Sequence, residues 1–206
     1  MPSNIAIVNY GMGNLHSIFR RLIQLNVYPV IAHSAGEILR ADKILLPGVG
    51  HFGKAMENLR QLGIYDALNE AVLIKKKPIL GICLGMQLMA KESEEGNAAG
   101  FGWINSRVVK FNIENKIQYK VPQTGWNTIA ICKQSSLLDG IQNESEFYFL
   151  HSYHHVVADQ QDILAKTSYE YEFVSAVEKE NIFGTQFHPE KSHHSGSKLL
   201  NNFIQI

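Results

Sequence analysis

The chain has 206 residues, 45% hydrophobic and 18% charged, with 19 lysines plus arginines against 19 aspartates plus glutamates. Such a mixture suits one globular domain (residues 1–206) with a continuous core and excludes disordered and fibrous classes, while the balanced charge leaves no footprint for nucleic acid. The opening MPSNIAIVNYGMGNL has no secretory pattern, no apolar run nears the roughly 20 residues of a membrane span, and two cysteines make no disulfide framework, so a cytoplasmic protein is expected.

The first half alternates short apolar runs with helical periodicity. Ile5–Val8 reads as a buried strand ended by Tyr10-Gly11-Met12-Gly13. Leu15, Ile18, Leu22 and Leu25 then mark one face of a helix that Asn14 would cap. Tyr28–Ile31 and Lys43–Leu46 read as further strands, the second stopped by Pro47-Gly48-Val49-Gly50. Phe52, Met56, Leu59 and Leu62 follow helical spacing, as do Leu68, Ala71 and Val72. Pro78–Ile82 leads as a strand into Gly81-Ile82-Cys83-Leu84-Gly85-Met86-Gln87-Leu88-Met89, whose second part has a helix-like pattern. From Arg107 onward strands dominate: Val108-Val109, Ile117–Tyr119, Thr128–Ile131, Phe147–Leu150, Phe173–Val177 and Ile182–Phe187, before a closing helix over Lys198–Ile206. The pattern predicts an α/β fold: an open, mostly parallel sheet with helices on both faces and an antiparallel extension.

In open α/β sheets ligands bind at the carboxyl ends of strands. Cys83 stands there between two glycines, the frame of a nucleophile elbow with cysteine in place of serine. The glycines permit a tight turn and leave room for a substrate, and the N-terminus of the following helix favours a thiolate. A buried structural cysteine is the alternative reading. A catalytic cysteine needs a base and the base an orienting group. His188 and Glu190, two apart in Gly184-Thr185-Gln186-Phe187-His188-Pro189-Glu190, face the same side of an extended chain and supply both, although a surface turn is the plainer reading of that motif alone. Oxyanion donors are expected from the Leu84 N–H and from the Pro47–Gly50 turn.

With these pieces in place, nearly the whole chain resembles a class I (triad) glutamine amidotransferase, a family with a flavodoxin-like sheet. Pro47–Gly50 is similar to the family's oxyanion strand, Gly81–Gln87 to its nucleophile motif and Gln186–Ser192 to its base motif. Within the class, Asn9–Leu15, Pro47–Phe52, Gly125-Trp126-Asn127 and His151-Ser152-Tyr153 are most similar to the glutaminase-subunit family of imidazole glycerol phosphate synthase. The resemblance implies that Cys83, His188 and Glu190 hydrolyse glutamine through a thioester, with oxyanion donors at Val49, Gly50 and Leu84. It implies glutamine contacts at Gln87, Ser152 and Tyr153, and no metal or organic cofactor. It also implies a heterodimer with a (βα)8-barrel cyclase that consumes the ammonia in histidine biosynthesis, contacted through Tyr10, Asn14, Trp126 and Lys191.

One departure stands out. The family's Pro-His-x-Gly-Trp-Asn is here Pro122-Gln123-Thr124-Gly125-Trp126-Asn127, which admits a related pair serving surface-sugar biosynthesis. A catalytically retired scaffold subunit and a γ-glutamyl hydrolase are further alternatives, the first opposed by the intact triad. The histidines at 151, 154, 155, 193 and 194 do not make a zinc site, because no cysteine or carboxylate completes a tetrahedral set. Gly11-x-Gly13 lacks the third glycine of a dinucleotide loop.

Overall fold

Strands with no polar face must be covered on both sides. In the computed structural model, which describes residues 4–206, β1 (Ile5–Val8), β3 (Lys43–Gly48) and β4 (Ile79–Cys83) are such strands, with β2 (Val30–Ala32) at the partly exposed edge beside β1, all parallel. Met1–Ser3, the start of the stretch read for a leader, lie outside the described residues. Consecutive side chains feed opposite cores: Ala6, Val8, Ile44 and Leu46 join one cluster, whereas Ile5, Ile7, Leu45, Leu80 and Ile82 join the other. Each large aliphatic side chain so buried contributes about 1.5–3 kcal/mol.

The helices divide between these faces. α1 (Leu15–Gln24) buries Ile18 and Leu22 in the second cluster, and Asn14 caps it by accepting from the Ser17 N–H at 3.3 Å. α2 (Ala35–Arg40), α3 (Phe52–Gln61) and α4 (Ile64–Asn69), the last continued by a π-helical turn over Glu70–Ile74, cover the first. α2 was not expected, yet Ser34-x-x-Glu37 forms a complete capping box at its start. After β4 comes α5 (Leu84–Gln87), only four residues long, so the helix expected after Cys83 is a single turn and its dipole is correspondingly weak.

The second half is mostly antiparallel. β5 (Glu92–Ser93), β6 (Ala98–Ala99), β7 (Ser106–Lys110), β8 (Gln123–Thr128), β9 (Ala130–Ile131), β10 (Glu146–His151), β11 (Tyr153–Val157), β12 (Ile163–Ser168), β13 (Glu172–Lys179) and β14 (Ile182–Thr185) precede α6 (His193–Gln205). The main sheet runs β2-β1-β3-β4-β14-β13-β11-β7-β5-β6, with β8 and β10 paired apart from it. β5 pairs in parallel with β7, and β14 is the junction, parallel to β4 and antiparallel to β13.

Several boundaries differ from the sequence reading. Ile117–Tyr119 is a turn, not a strand. Ile117 is 91% exposed, and Asn115 closes the turn by accepting from the Gln118 N–H with its side chain and the Tyr119 N–H with its carbonyl. Thr128–Ile131 splits between β8 and β9, the final strand stops at Thr185, and α6 starts at His193. β11 and β12 were not anticipated as strands.

Candidate active site

The carboxyl ends of three adjacent strands, β3, β4 and β14, converge on one place and bring together Gly48–Gly50, Cys83 and His188. Cys83 has φ 54° and ψ −109°, a strained backbone for a side chain with a Cβ, costing on the order of 1–3 kcal/mol. The flanking glycines explain how it is held. A Cβ on Gly85 would lie 1.7 Å from the Leu46 carbonyl oxygen, and one on Gly81 would lie 2.6 Å from the Gly85 carbonyl oxygen. The sequence reading gave these glycines the task of keeping side chains away from a substrate. They also have a packing reason: the turn lies flat against β3 and β4.

Cys83 is buried but lines a cavity of about 240 Å³, with Val49, Gly50, Leu84, Gln87, Glu95, Pro122, Leu150, His151, Ser152 and Tyr153. The expected oxyanion and glutamine-contact residues therefore share one wall system. Among the described residues, the N–H groups of Val49 and Gly50 have no hydrogen-bond acceptor in the chain. The thiol is 3.7 Å from the Leu150 carbonyl, and the Gln186 Nε2 donates toward Sγ at 3.7 Å. Gln87 Nε2 donates to the Tyr153 carbonyl at 2.9 Å and to Gln186 Oε1 at 3.1 Å, linking that wall to the thiol.

Behind the thiol, His188 Nδ1 donates to Glu190 Oε1 at 2.8 Å, both side chains being 3% exposed. A carboxylate only accepts, which fixes the proton on Nδ1 and leaves Nε2 without a hydrogen-bond partner. Burial pulls the imidazole pKa down, but the negative charges of Cys83 and Glu190, with the hydrogen bond to Glu190, outweigh it and push the value up to about 10. The short 3-10 turn Pro189–Lys191 holds this arrangement, its Glu190 carbonyl accepting from Arg21 Nη2 of α1 at 3.3 Å.

The other cysteine has no such company. Cys132 is exposed beside a larger groove of about 1250 Å³ with no histidine on its walls. Two other histidines are held in the interior: His155 faces Ser106 Oγ at 2.9 Å and the Met86 carbonyl at 3.1 Å, and His154 meets Tyr171 Oη at 2.9 Å. Of the expected contact residues, Asn14 and Trp126 are exposed and Lys191 is half-buried with its ammonium 5.5 Å over the Tyr148 ring. Trp126 stacks on His193 at 4.9 Å. Tyr10 is a correction: it is fully buried and offers nothing to a partner surface, because the chain after β1 turns inward beneath the Gly48 turn. Gln123 is likewise buried, paired across β8 and β10 with His151, and only Thr124 of that departure reaches solvent. Sequence reasoning missed Glu95, Pro122, Leu150 and His151 as cavity walls, since no spacing links these segments to Cys83.

The buried histidines set an expected pH dependence. Burial lowers His151 to about 3 and His155 to about 4, against about 6.5 in an unfolded chain. Between those limits the unfolded state binds more protons, so stability falls as pH drops below about 6.5, by up to ~1.4 kcal/mol per pH unit for each ring. His188, raised in the folded state, contributes stability that is complete below about 6.5 and lost as pH climbs through about 10. Melting temperature against pH is expected to peak near neutrality. A flat profile from pH 7 to 5 would contradict the buried neutral rings.

Comparison with known proteins agrees with this geometry. Residues 6–206 match the family model described as Glutamine amidotransferase class-I. The imidazole glycerol phosphate synthase subunit HisH 2 of Methanococcus maripaludis is 47% identical, covering 98% of this chain and 98% of its own length. The subunit HisH 1 of Campylobacter jejuni is 47% identical, covering 98% of this chain and 100% of its own. A glutamine amidotransferase crystal structure superposes with a TM-score of 0.73 at 16% identity over 97% of each chain. A chain in the structure of PurLQS from Thermotoga maritima does so at 0.72 and 15%, covering 100% of this chain and 99% of that one. At such identities these two speak for the fold alone. The chain belongs to the class I glutamine amidotransferases and, within them, to the family of imidazole glycerol phosphate synthase HisH subunits.

Proposed function

We propose that the chain hydrolyses glutamine to glutamate and ammonia through a Cys83 thioester. In this reading it hands the ammonia to a (βα)8-barrel cyclase, its heterodimer partner in the cytoplasm, for imidazole glycerol phosphate synthesis in histidine biosynthesis. The observation that carries this reading is the 2.8 Å His188–Glu190 contact behind a cysteine on a strained elbow that opens into a cavity.

The Cys83 sulfur, its proton already held by His188, attacks the side-chain amide carbon as a thiolate. Negative charge gathers on the amide oxygen, which in this reading accepts hydrogen bonds from N–H groups of Val49, Gly50 and Leu84. His188 then protonates the departing nitrogen, which leaves as ammonia, and Glu190 stabilises the imidazolium meanwhile. Water, deprotonated by His188, cleaves the thioester and releases glutamate. Gln87, Ser152 and Tyr153 hold the substrate, and Glu95, the one carboxylate on the cavity wall, provides a counter-charge for its α-ammonium.

The two glycines and the unpaired N–H groups of the Gly48–Gly50 turn favour a turn that must adjust to present its donors. Glutamine turnover is therefore expected to be slow for the isolated chain and to rise by about 10²-fold when the cyclase docks over Asn14, Trp126 and Lys191. That is the worth of one well-aimed oxyanion donor. Equal rates with and without the cyclase would contradict the coupling, and no hydrolysis even with it would contradict the glutaminase assignment. Gln123 and Thr124 favour a second reading, service to a surface-sugar pathway. Assaying which acceptor the reconstituted pair aminates distinguishes the two.

A further inference from the structure

Adjacent strands β1, β3, β4 and β14 deliver, in that order along the carboxyl edge of the sheet, Tyr10, the Gly48–Gly50 turn, Cys83 and His188. The chemistry above uses the last three and leaves Tyr10 without a task. Its side chain is fully buried, and its hydroxyl has no hydrogen-bond partner among the described residues. Asn58 Nδ2 of α3 donates to the Tyr10 carbonyl at 3.1 Å and fixes the backbone there. The hydroxyl abuts the turn itself: a Cβ on Gly48 would lie 2.2 Å from the phenol oxygen. Burial, with the negative charge of Cys83, raises the phenol pKa, so the group remains an O–H donor throughout the working range.

A buried donor with no acceptor lowers stability, and phenylalanine would fill the same space without that penalty. The orphan hydroxyl makes sense if an acceptor arrives in another state of its neighbour. A peptide is planar, with its N–H and C=O pointing opposite ways. Rotating a turn peptide so that its N–H faces the thiol cavity sends its carbonyl away from that cavity.

We propose that Tyr10 is a positioning residue for the oxyanion turn, its O–H donating to a main-chain carbonyl of Pro47–Gly50 when the turn's N–H groups face bound glutamine. This rests on the glutaminase reading. Tyr10 touches neither substrate nor thiol; it gains a hydrogen bond in the aligned state and thereby favours it.

The test is Tyr10→Phe in the complex with the cyclase, assayed for glutamine hydrolysis beside the unaltered complex, together with the melting temperature of the isolated chain. The expected result is a kcat about tenfold lower or more, an unchanged KM, and a melting temperature unchanged or raised by up to about 4 °C. A merely structural tyrosine would leave kcat alone. An unaltered kcat overturns the proposal, as does a loss expressed in KM. A lowered melting temperature also overturns it, since the hydroxyl would then have a partner at rest. An inactive unaltered complex instead removes the glutaminase reading on which the proposal stands, and the proposal with it.

Discussion

Replacing Cys83 with alanine is expected to lower glutamine hydrolysis by about 10⁴-fold or more while leaving ammonia-driven synthesis by the attached cyclase intact. Removing a nucleophile that works as a unit with its base eliminates the covalent route altogether, because neither His188 nor the turn donors can substitute for the sulfur. The substitution should not disturb folding. Alanine keeps the Cβ that the elbow already accommodates at φ 54°, and only the long contacts of Sγ to Leu150 and Gln186 are lost. Steady-state glutaminase and ammonia-dependent assays on the same preparation separate the outcomes. Loss of both activities would mean that the cysteine supports the assembly, and retention of both would mean that hydrolysis runs elsewhere.

Glu190→Gln is expected to cost about 10²–10⁴-fold in kcat. An orienting acid neutralised at fixed geometry loses control of the imidazole tautomer and stops stabilising the imidazolium. Its charge and its 2.8 Å hydrogen bond are among the reasons that His188 holds its proton so firmly. With glutamine in that place, the imidazolium should deprotonate at lower pH, and the alkaline limb of the kcat profile should move the same way. Glutamine matches glutamate in shape, so Glu190→Gln tests charge rather than packing. A kcat within a fewfold of the parent, with an unmoved alkaline limb, would relegate Glu190 to holding the loop.

The legible part of this fold was the part governed by one simple constraint. Ile5–Val8, Lys43–Leu46 and Pro78–Ile82 have no polar face, so burial on both sides and a parallel sheet followed directly. Their carboxyl ends locate the site, which is why Cys83 and the Gly48–Gly50 turn were readable from local sequence. His188 and Glu190 were legible for another reason: the contact is between residues two apart, and the backbone alone brings them together. What escaped depended on long-range placement. Tyr10 carries no mark that distinguishes a buried aromatic from a docking one, and it became interior only because the chain after β1 runs beneath a neighbouring strand's glycine. Glu95, on a loop, and His151, at the end of β10, reach the cavity from segments whose separation from Cys83 in sequence carries no periodicity. Ile117 misled because its alternation with Tyr119 just after Asn115 is as compatible with a side-chain-closed turn as with a strand. Ser34-x-x-Glu37, by contrast, was a readable helix start that was passed over.

The central claim is that the sulfur of Cys83 carries the glutamyl group. Rapid acid quenching of the cyclase complex during turnover, followed by peptide mass spectrometry, tests it most directly. The account predicts a γ-glutamyl adduct on the peptide containing Cys83, none on the one containing Cys132, and loss of the adduct in His188→Asn. Full turnover with no adduct on Cys83, or with the glutamyl group on another residue, would contradict it.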